Sequence, residues 1–158
     1  MYDNLLYAVI STIGENLDFK CATVSDEIYQ EFEKLTLDLD TKRLFQWRWF
    51  SEDAEVGPTI YSAENILKAE EENNYLKNGI IEIGYCPNGD EIFLRVNDSA
   101  ILYWSHDEAE GDWSSKEEAA LFMAYSRVEY LLINVCNRNF IPWDSYSARE
   151  YFDLYGGK

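Results

Sequence analysis

The stretch from Ile80 to Glu108, IIEIGYCPNGDEIFLRVNDSAILYWSHDE, leaves the chain few choices of fold. An apolar run from Ile80 to Gly84 gives way to the turn residues Pro87-Asn88-Gly89-Asp90. An alternating run from Glu91 to Val96 follows, then a second turn at Asn97-Asp98-Ser99 and a third run from Ala100 to Ser105. Short β-prone runs punctuated by Gly, Pro, Asn and Asp are strands joined by tight turns. Three antiparallel strands in a meander are therefore predicted, and the remaining segments must cover the sheet they start.

Upstream, Asp3 can cap a helix with Leu5, Leu6, Val9, Ile10 and Ile13 on one face, ending at Gly14. A connector, 15–23, precedes Ser25, which can cap a second helix carrying Ile28, Tyr29, Phe32 and Leu35 at three- and four-residue steps. Leu44 to Phe50 alternates Phe45, Trp47 and Trp49 against Gln46 and Arg48, the period of a strand. A polar loop is expected over 51–59, and then a helix capped by Ser62 that runs through Lys77 and stops at Asn78-Gly79.

Downstream, the acidic segment Asp107 to Trp113 leads into Ser114-Ser115, with Glu117 and Glu118 completing two capping-box registers. A long helix to Cys136 is predicted, its apolar stripe made by Leu121, Ala124, Val128, Leu131, Leu132 and Val135. An aromatic extension of the same domain over 137–158 holds a last short helix capped by Ser145. The expectation is one α+β domain spanning 1–158, with a central antiparallel sheet and flanking helices. A chain of 158 residues can bury a sizeable core without disulfide or metal staples.

Charge narrows the function. Thirty acidic residues against 13 basic ones give a formal charge of −17. Phosphate binding needs Lys and Arg over a broad face, so nucleic acid and anionic membranes are excluded as direct partners. Such a field favours a basic protein partner captured by long-range attraction, and the competing reading is a charge that only maintains solubility. Cys21, Cys86 and Cys136 are odd in number and far apart, as expected of reduced thiols in a cytoplasmic protein. No signal segment or apolar run long enough to span a bilayer is present in the sequence.

His106, the only histidine, stands beside Asp107 and Glu108. A general base or metal ligand would look like this, but a metal site needs about three or four convergent ligands, which the local sequence lacks. The competing reading is an exposed strand-end histidine. A Cys–His nucleophile built from His106 with Cys86 or Cys136 competes with packing roles for both cysteines. Phosphate-loop, dinucleotide and nucleophile-elbow patterns do not occur. No catalytic residue, metal or cofactor is expected. The run Glu70-Glu71-Glu72 reads as a solvated face. Asp107, Glu108, Glu110 and Asp112 beside Trp113, with Glu52, Asp53 and Glu55 behind them, are the candidate contacts for a basic partner.

Four stretches also resemble a known family. Ser25 to Phe32, Ile60 to Leu67, Gly84 to Leu94 with Asn88-Gly89-Asp90, and Ala100 to Glu108 followed by Ser114 to Glu118 are similar, in order and spacing, to motifs of the SUKH superfamily. That superfamily takes in bacterial immunity proteins and a fungal regulator of cell-wall synthesis. The match covers roughly 25–136. Thr23-Val24 stands where the family usually has Leu-Pro, and the tail from Trp143 has no counterpart. The resemblance implies an α+β fold and a non-catalytic binding role, foremost an immunity protein that neutralises a bacterial toxin, plausibly a nuclease. An interaction scaffold unrelated to toxins is the alternative.

Overall fold

The predicted meander forms the centre of a computed structural model that describes residues 21–22, 25–34, 49–55, 57–96, 98, 100–106, 125–127 and 144–155. In chain order these residues build β1 (Cys21–Ala22), α1 (Asp26–Glu33), β2 (Trp49–Phe50), β3 (Ala54–Glu55), β4 (Thr59–Ile60) and α2 (Ala63–Asn73). A 3₁₀ turn (Tyr75–Asn78), β5 (Ile80–Tyr85), β6 (Glu91–Arg95), β7 (Ala100–Trp104), β8 (Tyr125–Arg127) and α3 (Ser145–Tyr155) follow. Strands β3 to β8 lie in sequence order in one antiparallel six-stranded sheet, and β1 pairs with β2 in a separate ribbon. The expected α+β class, an antiparallel sheet with helices against it, is what the structure has.

The sheet holds because its central strands are apolar on both faces. Ile80, Ile81, Ile83, Ile92, Phe93, Leu94, Ile101, Leu102 and Tyr103 are all fully buried. Phe93 stands opposite Leu102 and, on its other side, opposite Glu82, so these side chains share one face. Tyr75 closes edge-on over Phe93, with ring centroids 5.2 Å apart, and completes a cluster with Ile80, Leu102 and Trp104. Gly84 sits where β5 shifts register against β6 and β4 crosses closely on its other side. A Cβ there would overlap the Thr59 carbonyl oxygen.

Local chemistry explains the helices. The Ser25 hydroxyl accepts from the Ile28 amide at 3.4 Å and begins α1, as expected. Ser62 caps α2 by accepting from the Asn65 amide at 3.2 Å. Asp53 reinforces that end by accepting from the Ser62 amide at 2.8 Å and the Asn65 side chain at 2.9 Å. Ile66 is buried on the inner side of α2, which packs on β5.

Five expectations are corrected. The helix from Ser62 does not run through Lys77: Asn74 turns left-handed at φ 52° and ends α2, and the chain continues as a 3₁₀ turn to Gly79. Asparagine tolerates that conformation, so the break comes a turn early. The segment 51–59 is not only loop, because Ala54–Glu55 and Thr59–Ile60 pair as a short hairpin. Cys21–Ala22, placed in a connector, is a strand on Phe50 and Trp49. A continuous helix to Cys136 is excluded by Tyr125–Arg127, which pairs with β7 as the sheet's last strand. Ser145 is the first residue of α3, not its cap. Asp144 caps instead, its carboxylate accepting from the Ser147 amide at 2.8 Å while the Ser147 hydroxyl accepts from the Asp144 amide at 3.0 Å. The predicted helix from Asp3, the strand residues Leu44 to Arg48 and the helix start at Ser114 lie outside the described residues.

Candidate functional site

Two constellations of polar side chains are built on the meander. The first is Asp90, at the turn between β5 and β6 and only 1% exposed. Gly89 takes φ 93° to make the turn, which the Cys86 amide closes by donating to the Asp90 carbonyl at 2.8 Å. The Asp90 carboxylate then accepts the Tyr103 hydroxyl at 2.5 Å, the Asn88 amide group at 3.0 Å and the His106 backbone amide at 3.1 Å. It also stands 2.5 Å from His106 Nδ1. A carboxylate accepts, so Nδ1 is the ring nitrogen that donates to it.

The geometry resembles half of a nucleophilic triad, yet the adjacent sulfur does not supply the other half. Burial pushes the Cys86 thiol up to about 12, so it stays protonated and is a packing residue. Burial, and then its hydrogen bond to Asp90, likewise raises the Tyr103 phenol. No three His, Cys, Asp or Glu side chains among the described residues stand close enough to share a metal ion. The constellation fastens the β5–β6 turn to the end of β7.

The second constellation is a groove of about 450 Å³ lined by Tyr61, Glu72, Asn73, Tyr75, Glu82 and Glu91. Glu72 and Asn73 come from the last turn of α2, Tyr75 from the 3₁₀ turn, and Glu82 and Glu91 from adjacent strands. Glu82 faces Phe93 across the ladder and Glu91 precedes Phe93 by two, so both carboxylates rise from the same face. The α2 break at Asn74 is what carries Tyr75 down over that face. Glu70 clamps the break, its carboxylate accepting from the Leu76 amide at 2.6 Å. Tyr61 is positioned from behind, since the Trp49 indole donates to its carbonyl at 2.9 Å.

The groove is negative. Among the described residues its lining holds three glutamates and no lysine or arginine. Burial comes first in raising the Tyr61 phenol, followed by the charges of Glu82 and Glu91. Tyr75 is raised by burial and then by Glu91, Glu82 and Glu70. Both phenols therefore remain neutral at physiological pH. Glu82 is 6% exposed, a carboxylate at the floor with the Tyr61 hydroxyl 3.4 Å away.

Of the residues singled out from sequence, Glu52 is exposed just before β3 and Glu55 is exposed at its end. Asp53 is engaged in capping α2. Asp107, Glu108, Glu110, Asp112 and Trp113 lie outside the described residues, directly after His106. Within the run read as a solvated face, Glu71 and Glu72 are exposed, while Glu70 is half-buried on Leu76. Sequence reasoning passed over the groove. One signal was available: Glu82 is a lone charge inside the apolar run IIEIG, where a charge is retained only with company. Comparison with protein-family models, curated proteins and solved structures finds no match for the chain. Among the described residues no helix is long and apolar enough to cross a membrane.

Proposed function

We propose that the chain is a non-catalytic acidic binding protein of the cytoplasm, an immunity protein that captures and neutralises a basic toxin domain. The groove of Tyr61, Glu72, Tyr75, Glu82 and Glu91 carries this reading: it is a concave site whose lining is aromatic and anionic. The net charge of −17 adds a long-range field of the same sign. A nuclease keeps a basic surface for its substrate, and an acidic protein that occupies that surface blocks it. The resemblance of 25–136 to the SUKH superfamily supports the immunity role. Against catalysis stand the protonated, buried Cys86 thiol and the engagement of Asp90 by its hydrogen-bond donors.

The test is affinity capture from the native cell at low and moderate salt, followed by mass spectrometry, with the captured protein then expressed alone and together with this chain. The expected result is a basic partner that arrests growth alone and is harmless in company. Recovery of a housekeeping assembly with no toxic component would overturn the immunity reading.

A further inference from the structure

We draw no further inference here: the strongest candidate, the exposed Tyr85 ring packed on Tyr61 at the β4–β5 end of the sheet, carries nothing because no feature of the structure shows what covers it.

Discussion

Asp90 fastens the β5–β6 turn to the end of β7. The residue is 1% exposed, and its carboxylate gathers donors from its own turn, from Tyr103 on β7 and from His106 two residues past β7. Asp90→Ala strands the Tyr103 hydroxyl and the His106 amide, and it is expected to cost about 3 kcal/mol. Urea denaturation measures it, and a loss below about 1 kcal/mol would mean that the turn is held by other means. Cys86 offers a second residue-scale test. Its thiol is raised to about 12 in the fold, against about 8.5 in an unfolded chain. The folded state therefore holds a proton that the unfolded state releases first, and this contribution to stability is complete below about pH 8.5 and lost as pH rises toward 12. Iodoacetamide at pH 8 should label Cys86 only after denaturation, as peptide mapping would show. Native labelling would place the thiol in contact with solvent.

At the scale of elements, what is legible in the chain depends on how local the deciding interaction is. The meander is legible because Asn88-Gly89-Asp90 and Asn97-Asp98-Ser99 punctuate it, and its strands fall within one residue of the predicted spans. The start of α1 follows from Ser25 alone. Elsewhere the deciding contact is distant. Tyr125–Arg127 lies in a stretch with helical periodicity and becomes a strand because the exposed edge of β7 accepts it, an override that no local pattern announces. The break at Asn74 is likewise stabilised by Glu70 reaching forward to Leu76, and it creates the groove that the sequence reading missed. Two element-scale tests follow. Gly84→Ala should destabilise the sheet, because the added methyl meets the Thr59 backbone and not a movable side chain. Deleting 142–158 removes α3, which packs on β7 and β8 and buries Ala148 completely. That deletion is expected to lower the melting temperature markedly, by the loss of several kcal/mol of apolar burial. An unchanged melting temperature would assign the tail to partner contact, in keeping with the exposure of Tyr146 and Leu154.

For the whole molecule, charge is the property that composition states most plainly and that a fold class says least about. The −17 total predicts rapid, salt-sensitive association with a basic protein, while the groove predicts where part of the attraction is concentrated. Surface acids such as Glu52 and Glu55 should act mainly on the association rate, and Glu82 on dissociation, because only the latter carboxylate is withdrawn from water. The most direct measurement is the association rate of the captured partner with this chain as ionic strength is raised from about 0.05 M to 0.5 M, a range over which screening of exposed charges becomes strong. The expected result is a fall of about tenfold or more, with the slope reduced when Glu52, Glu55 and the acids of 107–112 are neutralised. A rate that stays flat across that range, in both forms, would contradict recognition through the acidic surface.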